Sequence, residues 1–162
     1  MSEDAGELAG FLPYQLSVAS NAVSALIAER YRKRFGLKIA EWRVMAVLGD
    51  EGETGGAMTQ RGLTAATVMD KVAVNRAVKV LEQRGLIARV PNPEDGRSHL
   101  LALTGEGRSI HAEVMPLARA TEAELLADLA PGDEEALRRL LGGLRARAMR
   151  LARHTHEGPE QG

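Results

Sequence analysis

The chain has 162 residues, 44% hydrophobic and 27% charged with both signs mixed, which suits one compact domain with helical extensions and argues against disorder as the dominant state. It has no cysteine, which excludes disulfides, thiolate metal sites and thiol redox switching. The net charge of −1 hides an asymmetry: residues 60–110 carry eight Lys or Arg against five acids, leaving that segment at +3 and the rest at −4.

The first predicted element is one long helix from Leu8 to Phe35. Apolar residues recur at Leu12, Leu16, Ala19, Val23 and Leu26, with Ala22 and Ile27 widening the stripe. Its last turn is basic (Arg30, Arg32, Lys33, Arg34), and Gly36 is placed to take the left-handed cap position. A second helix runs from Ile39 to about Asp50 with Trp42, Val44, Met45 and Leu48 inward. Lys38 is a poor residue for its N-cap. Three glycines within Glu51–Gly56 mark a loop.

A short third helix opens at Met58-Thr59, with Thr59 as cap and Leu63 as core residue. Asp70 caps a fourth helix, 71–84, which Gly85 ends. Along it Val74, Val78 and Leu81 form the buried stripe, leaving Lys71, Val72, Asn75, Arg76 and Lys79 on the opposite face. Leu86–Val90 reads as a strand, Pro91–Gly96 as a turn whose prolines cannot join a ladder, and Ser98–Leu103 as the returning strand. Thr104 caps a fifth helix to about Leu129, with a bend expected at Pro116. A sixth begins near Pro131, acidic at its start and arginine-rich at its end. Gly142-Gly143 in its middle suits close packing on another helix, and the last ten residues are polar and expected to be disordered.

Several function classes drop out. None of His99, His111, His154 and His156 has a partner at a metal-ligand spacing. No glycine-rich phosphate loop, nucleophile elbow or zincin motif is present, so neither a cofactor nor an enzymatic activity is expected. No apolar run approaches the roughly 20 residues of a bilayer span, and the acidic start lacks the basic region of a signal peptide, so a cytoplasmic protein is expected. All five aromatic residues (Phe11, Tyr14, Tyr31, Phe35, Trp42) precede the basic segment. Without rings to stack single-stranded bases, a basic segment is better matched to duplex DNA.

Helix, short helix, turn, helix and hairpin follow in order between Ile39 and Leu103, the winged helix-turn-helix plan. In that motif the second helix enters the major groove, where base edges carry a distinct donor and acceptor pattern. Thr59, Gln60, Lys71, Val72, Ala73, Asn75, Arg76, Lys79 and Arg89 are the candidate contacts here, with Asp95 and Arg97 on the wing. Asn75 suits adenine, Arg76 guanine or a phosphate, Lys71 and Lys79 phosphates, and Val72 and Ala73 a thymine methyl.

Leu81-Glu82-Gln83-Arg84-Gly85-Leu86-Ile87-Ala88-Arg89 resembles the L-E-x-R-G-L-[IV]-x-R signature of MarR-type regulators, and Asp95-Gly96-Arg97 with Leu101-Ala102-Leu103-Thr104 resembles their D-x-R…L-x-L-T wing motif. Met69–Val78 fills the place of their recognition-helix pattern. The resemblance covers about Trp42 to Thr104. It implies that Arg97 enters a minor groove with Asp95 holding its guanidinium; where the family often has a second arginine between the two, Gly96 stands here.

The resemblance also implies a mainly helical homodimer with a small antiparallel β-hairpin wing. Dimerisation helices would span 8–36 and 105–153, the DNA-binding domain 37–104, and a disordered tail 154–162. Leu12, Leu16, Leu137, Leu140, Leu141 and Leu144 are the candidate interface residues. The implied function is that of a repressor on an inverted-repeat operator, with helix 71–84 in the major groove and wing 87–103 at the minor groove. Release by a small aromatic or phenolic effector is a further implication, with Arg30, Trp42 and His111 as candidate contacts. The alternative is a winged-helix module that binds protein and not DNA.

Overall fold

The computed structural model describes residues 8–50 and 56–156. In chain order these form α1 (Leu12–Phe35), α2 (Ile39–Gly49), β1 (Ala57–Met58), α3 (Gln60–Thr67), α4 (Lys71–Gln83), β2 (Ile87–Pro91), β3 (His99–Leu103), α5 (Gly105–Leu126) and α6 (Asp133–His156). The expected class holds: a mainly helical chain with one small antiparallel sheet. Two compact units divide it, one reaching Thr121 and the other beginning at Glu122. Most of the loop expected at Glu51–Gly56, and the chain beyond His156, lie outside the described residues. Among the described residues no helix is long and apolar enough to cross a membrane.

The expected single helix from Leu8 is interrupted at Phe11, whose backbone is extended at φ −80° and ψ 110°. Proline is tolerated in a first turn but has no N–H for the carbonyl four residues back. Pro13 therefore leaves the Ala9 carbonyl without its helical donor, and the Gln15 side-chain amide donates to it at 2.7 Å. At the other end Gly36 takes the left-handed cap, φ 63°, and its N–H donates to Arg32 O at 2.9 Å. Lys38 makes no side-chain cap hydrogen bond, and the start of α2 is held instead by Glu41, whose carboxylate accepts the Lys38 backbone N–H at 3.0 Å.

The sheet has three strands, not the two of the expected hairpin, in the order β1-β3-β2. β1 pairs Ala57 with Ala102 and Met58 with Leu101, so Met58 belongs to a strand and does not open the third helix. β2 and β3 pair from Ile87↔Leu103 to Pro91↔His99. Pro91 does join the ladder, contrary to expectation. It is the last residue of its strand, a position where proline is tolerated.

The core of the first unit gathers Tyr31, Leu37, Met45, Leu48, Leu63, Val74, Val78, Leu81, Leu86, Leu101 and Val114, so α1 through α5 and the sheet share it. Burial pushes the Tyr31 hydroxyl pKa up to about 12. α5 starts where Thr104 Oγ1 accepts from Gly107 N at 3.0 Å while its hydroxyl donates to Gly85 O at 2.6 Å. One end of α5 is thereby tied to the turn after α4. The helix continues through Pro116.

In the second unit α6 begins at Asp133 and not at Pro131, because Gly132 turns the chain at φ 89°. Arg138 bridges Glu134 at 2.9 Å and Glu122 at 2.8 Å. The helix continues to His156, so the first three residues of the expected tail are helical. A Cβ on Gly142 or Gly143 would meet nothing within 4 Å, so no close packing among the described residues requires that pair.

Candidate nucleic-acid interface

α3 and α4 each stand on the core through one buried face, which in α3 carries Leu63 and Thr67. Thr59 caps α3 by accepting from Gly62 N at 3.1 Å, and Asp70 caps α4 by accepting from Ala73 N at 2.8 Å. Val74, Ala77, Val78 and Leu81 of α4 are buried. The residues between them are therefore turned outward: Lys71, Val72, Asn75, Arg76 and Lys79 are all exposed, Val72 to 58%. Ala73 is only half-exposed. The hydroxyl of Thr59 is already used in its cap. The turn between α3 and α4 passes through Val68 in the left-handed region at φ 54°.

Gln60, at the first position of α3, reaches α4 and the wing together. Its Nε2 donates to Asn75 Oδ1, while Arg89 Nη2 approaches its Oε1 at 3.5 Å. Arg89 on β2 is held in turn by Glu82 of α4, Nε to Oε1 at 2.7 Å and Nη2 to Oε2 at 3.4 Å. Gln60, Asn75 and Arg89 are thus brought into one network. Glu82 joins them although it was not among the expected contacts.

The wing turn is built by side chains on backbone. Asn92 Oδ1 accepts from Glu94 N and Asp95 Oδ1 from Arg97 N, each at 3.0 Å, while Asn92 Nδ2 donates to Ser98 Oγ at 2.8 Å. Asp95 fixes the turn through the Arg97 peptide and not through its guanidinium, a correction to the expected pairing. Short Asx turns of this kind satisfy the backbone where no ladder partner exists. Arg97 is exposed, and among the described residues its guanidinium makes no ion pair.

Arg84, counted among the bases of the positive segment, is turned inward to a structural task. Its guanidinium donates to Phe35 O at 2.7 Å and Gly36 O at 3.1 Å, with the buried Glu41 carboxylate at 3.9 Å. It ties the end of α4 to the carbonyls that end α1. The sequence signal for this was the arginine inside the Leu81–Arg89 motif, but its partners are backbone atoms that no motif displays.

Of the expected effector contacts, Trp42 and His111 come together with ring centroids 5.6 Å apart, and Tyr31 lies against Trp42 at 5.7 Å. Trp42 is buried in the core. His111 also lines a cleft of about 560 Å³ between α2 and α5, with Asp50, Met115 and Arg119. Arg30 does not line that cleft. The expected interface leucines are turned to solvent: Leu12, Leu137, Leu140, Leu141 and Leu144 are exposed and Leu16 is half-buried.

A capped α3-turn-α4 pair followed by a three-stranded sheet with a projecting turn defines a winged helix-turn-helix protein. Known proteins agree with this class. The MarR family model matches residues 35–98. The uncharacterized HTH-type transcriptional regulator YwoH of Bacillus subtilis (strain 168) is 32% identical over 123 residues, 74% of this chain and 86% of YwoH. A MarR family transcriptional regulator from Silicibacter pomeroyi DSS-3 is 30% identical with a TM-score of 0.68, over 85% of this chain and 97% of that one. BpsR of Bordetella bronchiseptica, whose DNA binding is regulated by 6-hydroxynicotinic acid, is 25% identical with a TM-score of 0.71, over 84% and 94%. The chain belongs to the MarR family of transcriptional regulators.

Proposed function

We propose that this regulator is a homodimeric repressor that binds an inverted-repeat operator in duplex DNA, with α4 in the major groove and the β2–β3 wing at the minor groove. The observation that carries this reading is the outward face of α4, where Lys71, Asn75, Arg76 and Lys79 stand exposed on a helix whose other face is locked into the core. Lysines and arginines supply phosphate attraction, and an amide supplies base-edge hydrogen bonds. Arg97, exposed on a turn braced by Asp95 and Asn92, suits the narrow minor groove, where negative potential is focused. Residues 37–104 are the reading domain in this proposal, and residues 8–36 and 105–153 supply the dimer contacts. In this reading repression follows where the operator overlaps the promoter, because the bound dimer then occupies that DNA.

A small aromatic acid is the proposed effector, entering the cleft beside His111 and Arg119. The regulation of BpsR by 6-hydroxynicotinic acid supports that chemistry. Such a ligand acts only by favouring one spacing of the two reading heads over another.

The test is a salt titration of binding to the DNA flanking the protein's own gene, with wild type and Arg97→Ala. Each phosphate neutralised contributes about −0.9 to the slope of log K against log salt. Wild type is expected to bind with a steep negative slope, and the variant to bind more weakly with a slope shallower by about one such unit. Absence of duplex binding even at low salt would overturn the proposal in favour of a protein-binding winged helix.

A further inference from the structure

An amide side chain has one donor end and one acceptor end that look alike in shape, so which end faces a base must be decided by its neighbours. Around Asn75 the neighbours settle it through charge. Glu82 is a carboxylate and can only accept; Arg89 is a guanidinium and can only donate. With Arg89 clamped on Glu82 at 2.7 Å, its Nη2 also faces Gln60 at 3.5 Å and meets Oε1, the acceptor end. Gln60 must then turn its Nε2 hydrogens the other way, and they donate to Asn75 Oδ1. The polarity of the chain runs in one direction from the ion pair to the recognition helix. It ends on Asn75 with the oxygen engaged and the Nδ2 hydrogens left for whatever α4 faces.

We propose that the Glu82–Arg89–Gln60 relay fixes the Asn75 amide as a hydrogen-bond donor, and that Asn75 thereby selects a keto base, guanine or thymine, over an amino base. The proposal rests on the reading that α4 enters the major groove. There guanine offers the acceptors N7 and O6 and thymine offers O4, whereas cytosine presents the N4 donor and adenine pairs one acceptor with the N6 donor. An unconstrained asparagine matches adenine with both ends at once. Gln60 occupies one lone pair of Asn75 Oδ1 and holds that oxygen toward α3, so the two-ended match to adenine expected from residue type alone is disfavoured here. Glu82, Arg89 and Gln60 act as positioning residues, and Asn75 is the specificity-determining contact.

The relay can be reversed with one oxygen-for-nitrogen exchange. Gln60→Glu places an acceptor-only group beside both Arg89 and Asn75. Arg89 remains paired, and Asn75 must rotate its amide to donate to the new carboxylate, turning Oδ1 outward. The fold tolerates this change because an acid in the first turn of α3 agrees with the helix dipole.

The experiment is selection of the full chain on randomised duplex, followed by sequencing, for wild type, Asn75→Ala and Gln60→Glu. Asn75→Ala identifies the position in each half-site that the amide reads, by flattening preference there alone. At that position wild type is expected to favour guanine or thymine by about tenfold, and Gln60→Glu to favour adenine or cytosine, with every other position unchanged. A general loss of affinity from the added charge would not shift one position's base ratio. The relay is overturned if wild type selects an amino base there, if Gln60→Glu keeps the keto preference, or if a defined operator emerges in which Asn75→Ala alters no position. Enrichment of no duplex at all by wild type would remove the groove reading first, and the relay with it.

Discussion

Val68 is a β-branched residue in the left-handed region, φ 54°, and its side chain is 81% exposed. An L-residue there sets Cβ against the following carbonyl, at a cost of roughly 1–2 kcal/mol. Almost no burial offsets it. Val68→Gly is therefore expected to stabilise the protein by about 1 kcal/mol, less the entropy that glycine adds to the unfolded chain, and Val68→Asn by a similar amount. For a chain of this size that is a rise in Tm of about 3 °C in thermal unfolding. A Tm that falls in both variants would show that Val68 makes a contact worth more than its strain. Side-chain caps were legible one residue at a time, because Thr59, Asp70 and Thr104 announce their chemistry by type and place. The conformation of Val68 was not legible, since the usual signal for a left-handed turn is glycine and Thr67-Val68-Met69 contains none. Arg84 was read as one base among eight. Its side chain turns to Phe35 and Gly36, a choice made by carbonyls exposed at the end of another helix.

Elements were legible where periodicity ran long enough to count. α4 shows its buried stripe at Val74, Val78 and Leu81 in the sequence itself. β1, only Ala57–Met58, is too short to alternate and exists because β3 offers it an edge. The seating of α5 is another long-range fact that sequence alone conceals. A Cβ on Gly107 would stand 2.0 Å from the Leu86 carbonyl oxygen and 3.3 Å from Leu103, so the helix approaches strand and turn as closely as a hydrogen side chain permits. Gly105, two residues earlier on the same helix, has nothing within 4 Å of its Cβ position. The same substitution is therefore expected to have opposite signs at the two sites. Gly107→Ala must push α5 off backbone, which cannot move alone, and is expected to cost at least about 2 kcal/mol and lower Tm by roughly 5 °C or more. Gly105→Ala removes unfolded-state freedom without a clash and is expected to be neutral or stabilising by up to about 1 kcal/mol. Equal Tm values for the two variants would mean that α5 is not held against Leu86.

At the scale of the whole molecule a stripe of leucines stands exposed. Leu137, Leu140, Leu141 and Leu144 follow helical spacing along one stripe of α6, yet Leu140 remains 60% exposed and the other three at least 42%. Leu12, Val18 and Val23 repeat the situation on the first half of α1. The pattern was plain in the sequence, but what buries it was not, because a periodic apolar face states that it needs a partner and not which one. A second copy is the occupant proposed here, since a two-fold axis presents the same stripe from both sides. Symmetry also sets the size of the expected effect. Burying the still-exposed half of one leucine contributes about 1 kcal/mol, and each substitution acts twice in a homodimer. A carboxylate at that position adds its own desolvation cost, several kcal/mol if it remains charged. Leu140→Asp is therefore expected to raise the dimer Kd at least about a hundredfold, an effect of about 3 kcal/mol, while the helical circular dichroism of the monomer persists. Sedimentation equilibrium across micromolar concentrations reads this directly. The same variant should bind a two-half-site operator no better than a single half-site, because the gain from binding both depends on the link between the heads. If wild type sediments as a monomer, or Leu140→Asp as an unaltered dimer, the α6 stripe serves some other surface and the spacing of the reading heads must be set elsewhere.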